Sequence, residues 1–136
     1  SLAELGTKIQ QIFAGNVTEK AKITADSAIA QHPITQAVDG MADTYWQAAY
    51  GQEFDTITLK FPKPQKVSCV VLGEHLPTGQ RIESGEIWAD GSKVSEFTVV
   101  GHKRICRFAP VEVLTLTIKI TASRTEPTLR LLEVYQ

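Results

Sequence analysis

Apolar and polar residues alternate along most of this chain. In DTITLKF, Ile57, Leu59 and Phe61 share one side while Thr56, Thr58 and Lys60 share the other, the period-two signature of a half-buried strand. VLTLTIKIT repeats it, with Leu114, Leu116, Ile118 and Ile120 inward against Thr115, Thr117, Lys119 and Thr121. KVSCVVL reads as a more fully buried central strand and LRLLEVYQ as a closing one. Between IESGEIWA and KVSEFTVV, Asp90-Gly91-Ser92 predicts a hairpin turn, because Gly readily accepts positive φ. Pro62, Pro64, Pro77, Pro110 and Pro127 fall between these runs, where a missing N–H costs little. Only at the N-terminus does helical spacing occur: Leu2, Leu5, Ile9 and Ile12, with Phe13 beside them and a stop at Gly15-Asn16. That helix either packs on this domain or is the tail of a preceding one. Six or more strands on short links, with one short helix at the edge, predict an all-β antiparallel sandwich.

The 136 residues suit one domain with a single core. Hydrophobic residues at 43% and charged residues at 21% describe a globular chain. A formal charge of −1 gives no reason to expect nucleic acid or an anionic membrane as partner. No apolar run approaches the roughly 18 residues of a membrane span. The chain opens SLAEL without an initiating Met, so it is expected to be a piece of a longer protein.

Cys69 and Cys106 sit in apolar stretches and read as buried thiols, with a disulfide between them unsupported by spacing. His32, His75 and His102 are too dispersed for a local zinc motif. Asn16-Val17-Thr18 fits the N-glycosylation pattern, which is short and common. The chain carries no nucleophile elbow, Gly-rich phosphate loop or His-x-x-x-His pair, and no two acids are set to oppose each other across a substrate.

Four stretches are familiar together: AKITADS, AVDGMADTYW, GEHLPTGQRIES and GHKRICRFAPV. With them the chain resembles the discoidin, or factor V/VIII type C, family of jelly-roll sandwiches, which includes many carbohydrate-binding modules and other galactose-binding-like domains. GQRI followed by GHKRICRF resembles the version at the C-terminus of α-L-fucosidases, and LAELGTKIQQIFAGNVTEKAKITA resembles the passage into it from the fucosidase barrel. The resemblance implies a division into a helix or linker over 1–15 and a discoidin-like sandwich over 16–136. It also implies a parent that is a retaining α-L-fucosidase. A (β/α)8 barrel needs roughly 250 residues, so this stretch is expected to be non-catalytic. Family members are mostly secreted, periplasmic or lysosomal, and a secreted or periplasmic location is the expectation here.

In related modules a calcium ion is held near the Asp-Gly turn. Carried over by position, its ligands would be the Gln36 and Met41 carbonyls, the Asp39 carboxylate and Thr44 through its carbonyl and hydroxyl. The family's closing-strand carboxylate falls at Leu131 here, and Glu133 is the one acid on that strand that could reach. The alternative is a turn held by Asp39 hydrogen bonds. Trp46 is expected in the core with its indole N–H partnered. Trp88 is expected to face solvent or a neighbouring domain, and to help cover the gap where the family has an aromatic and this chain has Gly85.

Related modules grip sugars with a His, an Arg and an amide or acid from loops at one end of the sandwich. Glu74, His75, Gln80 and Arg81 offer these types, Tyr50 an aromatic platform, and His102, Lys103 and Arg104 further donors. Three readings stay open: glycan contact, structural pairing of Glu74 with Arg81 and Arg104, and docking against the barrel. The candidate ligands are galactose-, fucose- or N-acetylhexosamine-containing glycans. The expected function is a non-catalytic carbohydrate-binding accessory domain of a glycoside hydrolase, or else a purely structural support for the fucosidase barrel.

Overall fold

The computed structural model describes residues 15–136; the helix expected over Leu2–Phe13 lies outside them. Among the described residues, helix is confined to short 3-10 turns at Thr18–Lys20, Ile34–Ala37 and Leu76–Thr78, and no helix is long and apolar enough to cross a membrane. The strands are β1 (Lys22–Ala25), β2 (Trp46–Gln47), β3 (Asp55–Gly73), β4 (Ile82–Ala89), β5 (Ser92–Phe97), β6 (Arg104–Ser123), β7 (Thr128–Leu129) and β8 (Leu131–Tyr135). They pair antiparallel in the order β1-β3-β6-β4-β5, with β8 also on β3 and β2–β7 as a separate ribbon.

DTITLKF and KVSCVVL are thus the two halves of one strand, β3. Its first half lies between β1 and the end of β6; its second half lies between β8 and the start of β6. The β3–β6 ladder lapses between Lys60 and Gln65 and again between Val67 and Cys69. Pro62 and Pro64 occupy the first lapse and Pro110 the second. These prolines therefore sit inside long strands, at irregular points where no ladder N–H is asked of them. The interruptions let both halves turn their apolar sides to one core. Ile57, Leu59, Leu116 and Ile118 from one half meet Val70, Leu72, Leu132 and Val134 from the other in a single cluster. This is the antiparallel sandwich expected from the alternation, with the jelly-roll form that the resemblance implied.

The β4–β5 hairpin turns at Asp90 (φ 48°) and Gly91 (φ 85°), with Ala89 opposite Ser92, as a two-residue loop with both φ positive requires. The same Asp90 corrects the expectation for Leu114. Its Oδ1 accepts from Leu114 N at 3.1 Å and Thr115 N at 2.8 Å. Two consecutive N–H groups aimed at one carboxylate break the alternation, and Leu114 is 45% exposed while Leu116, Ile118 and Ile120 are buried. A second correction concerns Gly85. A Cβ there would meet the Phe97 ring at 2.1 Å, so Phe97 fills the gap. Trp88 is half-buried with Lys119 Nζ 4.2 Å from its ring centroid, and its indole donates to Glu86 Oε1 at 3.1 Å.

Trp46 is fully buried, and its Nε1 donates to Ser27 O at 2.9 Å. Ser27 Oγ donates to Asp55 Oδ2 at 2.6 Å and accepts from Ala49 N at 3.0 Å. Burial pushes the Asp55 carboxyl above its usual range despite those bonds. Cys69 and Cys106 are free thiols. Cys69 lies opposite Arg107 and Cys106 opposite Val70, so the two point to opposite faces and cannot bridge. Burial pushes both thiols up, which leaves them unreactive. Asn16 Oδ1 accepts from Thr18 N, Thr18 Oγ1 and Val134 N. The glycosylation-like triplet thus ties the start of the sandwich to its closing strand.

Candidate functional site

Loops from four parts of the chain meet beside the β2–β7 ribbon. The pairing of Gln47 with Thr128 and of Ala48 N with Pro127 O at 3.1 Å brings the 45–52 segment to the 124–128 segment. His75 N donates to Thr128 Oγ1 at 3.1 Å, adding the 74–81 loop. Gln47 N donates to His32 O at 3.2 Å, adding the 29–37 loop. The side chains answer to this convergence: Tyr45 is stacked between His75, centroids 3.7 Å apart, and His32, 3.8 Å apart. Burial, then the charges of His32 and Arg81, lowers the His75 pKa, so its imidazole is neutral at neutral pH. With both faces covered, the Tyr45 ring cannot serve as a sugar platform.

Arg81 stands beside His75 and is half-buried. Its Nη1 donates to Glu126 O at 2.9 Å and its Nε to Thr78 O at 3.3 Å. Among the described residues Nη2 has no partner, which leaves part of a rigid donor fork facing outward. Glu126 Oε1 accepts from Gly51 N at 3.1 Å and Oε2 from the Thr125 hydroxyl. The Thr125 bond, then the carboxylate's own backbone N–H, the Gly51 bond and the nearby Arg81 charge, hold its carboxyl down at about 2. Tyr50, next to Gly51, is 78% exposed. The arrangement offers a flat aromatic face, a neutral imidazole and a partly free guanidinium.

Glu74 needs correction as a sugar contact. It is 0% exposed, and its Oε1 accepts from Arg81 N at 2.8 Å and Ile82 N at 2.9 Å, its Oε2 from Gly101 N at 2.8 Å. The carboxylate clamps the 74–81 loop to the 101–104 loop and has nothing left for a ligand. Nor does it pair with the Arg81 or Arg104 guanidinium. Gln80 Oε1 would lie 3.9 Å from a Cβ on Gly101, on the 101–104 side. His102 is engaged by Arg130, whose Nη2 donates to His102 O at 2.5 Å. Arg104 donates to Val99 O at 3.4 Å and lines a groove with Glu86, Glu96 and Phe97. The structure therefore gathers His75, Arg81 and the segment carrying Tyr50, and places Arg104 apart from them. His32 and Glu126 escaped sequence reasoning, because nothing local marks residues that meet only through loop convergence.

At the Asp39 turn, Thr44 Oγ1 donates to Asp39 Oδ2 at 2.6 Å and stands 3.4 Å from both the Gln36 and Met41 carbonyls. Asp39 Oδ1 accepts from Met41 N at 2.9 Å. The expected calcium ligands do converge, but they hold one carboxylate whose two oxygens already close the turn. Glu133 does not add a second: it lines a cleft with Cys69 and Arg107, to which no residue of 36–44 contributes. The turn offers oxygens of the kind calcium takes, from carbonyls, a hydroxyl and Asp39, with one carboxylate as its only formal charge. Among the described residues no cluster of His, Cys, Asp and Glu forms a metal site.

Solved structures share this fold. A GH29 fucosidase from Ruminococcus gnavus in complex with fucose is 23% identical with a TM-score of 0.84, covering 98% of this chain and 29% of the fucosidase. The chain thus spans less than a third of that enzyme's length. Chitosan-binding module 2 from Paenibacillus sp. IK-5, in complex with chitotriose, is 22% identical with a TM-score of 0.78, covering 89% of this chain and 100% of the module. A family 32 CBM from C. perfringens in complex with galactose is 21% identical with a TM-score of 0.76, covering 88% of this chain and 96% of the module. No curated protein matches the chain. A model described as Domain of unknown function (DUF7402) matches residues 16–131, and the chain belongs to that family.

Proposed function

We propose that this domain is a non-catalytic carbohydrate-binding module, tethered in its parent to a glycoside hydrolase, and that the parent is a secreted or periplasmic α-L-fucosidase. The observation that carries the reading is the partly free Arg81 fork beside neutral His75, near the segment that holds Tyr50 78% exposed. A guanidinium grips vicinal hydroxyls, an imidazole adds one donor or acceptor, and an aromatic face takes the C–H side of a pyranose. The fold neighbours that are binding modules in complex with galactose and chitotriose support that ligand class. A millimolar site is worth about 4 kcal/mol, and tethering turns that into residence of the enzyme near its substrate. The catalytic barrel of the same chain is the other partner in this reading.

The second reading, a structural support for that barrel, draws on Glu74, whose carboxylate is spent entirely inside the loop system. The two part on the fate of free sugar. NMR titration with galactose, fucose, N-acetylglucosamine, chitotriose and a fucosylated oligosaccharide to millimolar concentration tests them. Shifts at Tyr50, His75 and Arg81 that vanish in Arg81→Ala support the module; silence with every sugar leaves the support role.

A further inference from the structure

Away from the Arg81 loop, the outward face of β8, β3 and the start of β6 carries an open cleft. Register sets its layout: Tyr135, Cys69 and Arg107 stand in one cross-strand row, and Glu133, Val71 and Ile105 in the next. Residues so opposed share a face at about 5 Å. Val71 and Cys69 make an apolar floor at 5% and 8% exposure, while Ile105 is 46% exposed at the side. Lys103 adds a second cation and Ser68 a hydroxyl to the walls.

The charges here are unbalanced. Glu133 is the one acidic side chain of the lining, set against the two cations Lys103 and Arg107. Burial, then the nearby Glu133 carboxylate, pushes the Tyr135 phenol up to about 12, so it stays protonated at ordinary pH. The described residues offer no carboxylate within ion-pair distance of Lys103 or Arg107; their ion pairs join Lys93 to Glu86 and Glu96 instead. Two cations thus border a floor that is apolar rather than wet.

We propose that this cleft binds a saccharide unit bearing a carboxylate or a sulfate, with Lys103 and Arg107 on the anion and Val71, Ile105 and the Tyr135 ring against the sugar's C–H face. A free inorganic anion would use the cations but gain nothing from that apolar surface. This site is independent of the Arg81 site, and each can stand or fall without the other.

The test is an NMR titration of the whole chain with a glucuronate disaccharide, galactose 6-sulfate, their neutral counterparts and sodium sulfate at matched ionic strength. At least one acidic sugar should shift the amides of Lys103, Ile105, Arg107 and Tyr135, with the neutral sugars silent there and binding weakened by salt. Lys103→Gln and Arg107→Gln, both at exposed positions, should each weaken it about tenfold, as loss of a charged contact does, while Arg81→Ala leaves it unchanged. Which acidic sugar responds separates carboxylate from sulfate recognition. No shift at these amides, an equal response to neutral sugars, or a sodium sulfate response as strong as the sugars' would each overturn the proposal.

Discussion

The Asp39–Trp46 turn and the His75–Arg81 loop are both short and polar, and they differ in what their hydrogen bonds leave over. In the turn, both Asp39 oxygens and the Thr44 hydroxyl are engaged with one another and with Met41 N. In the loop, Glu74 is consumed in the same way, but Arg81 keeps an outward-facing Nη2 and Tyr50 stands clear nearby. A polar cluster whose partners are all its own is a folding element. A cluster with donors in surplus, held rigid by a neighbour that has none to spare, is the better candidate for binding.

The sharpest way to break this contrast is Glu74→Ala. It would orphan the N–H groups of Arg81, Ile82 and Gly101, and at about 1–3 kcal/mol per unsatisfied buried donor the loss should be at least about 3 kcal/mol in urea unfolding. A cost under about 1 kcal/mol would mean the clamp does not hold the loops. Asp39→Ala, in a more exposed turn, should cost about 1 kcal/mol by the same measurement; a loss as large as that of Glu74→Ala would give the turn a role it is not credited with here.

Acid should act on the loop end first. The His75 pKa is lowered in the fold, so its contribution is complete above the unfolded value of about 6.5 and is lost as pH falls through the folded value. Glu126, held at about 2, contributes above the unfolded carboxylate range near 4.3 and loses that contribution only between there and about 2. Melting temperature against pH should therefore decline in two limbs. His75→Gln should flatten the upper limb and Glu126→Gln the lower; a profile unchanged by both would refute the assignment. Smallest of all, millimolar calcium should move the melting temperature by no more than about 1 °C, because a weak site gives little linkage. A rise of several degrees, lost in Asp39→Ala, would restore the Asp39 turn as a calcium site.

The sandwich was legible because alternation is local: Ile57, Leu59, Leu116, Ile118 and Ile120 face inward as their spacing demands. Leu114 departs because a carboxylate distant in sequence, Asp90, claims its N–H. Trp46 was readable as core, whereas the filler of the Gly85 gap is a ring from the adjacent strand, Phe97. The site was legible only in its residue types. His75 and Arg81 share a loop, so their union was foreseeable; the His32–Tyr45–His75 stack joins three separate segments and leaves no periodic trace. The structural role of Glu74 was among the open readings, but its partners were not foreseeable, since Gly101, the donor that completes its coordination, arrives from another loop.

The central claim is that Arg81 serves a ligand while Glu74 serves the fold. The most direct test measures Arg81→Ala twice, by sugar titration and by urea unfolding. The expected result is loss of the sugar-induced shifts at Tyr50 and His75 with a stability cost of about 1–2 kcal/mol, as for two hydrogen bonds to carbonyls in a half-exposed position and below that of Glu74→Ala. Sugar binding that survives the substitution, or a stability loss matching that of Glu74→Ala, would contradict it and make the loop part of the scaffold.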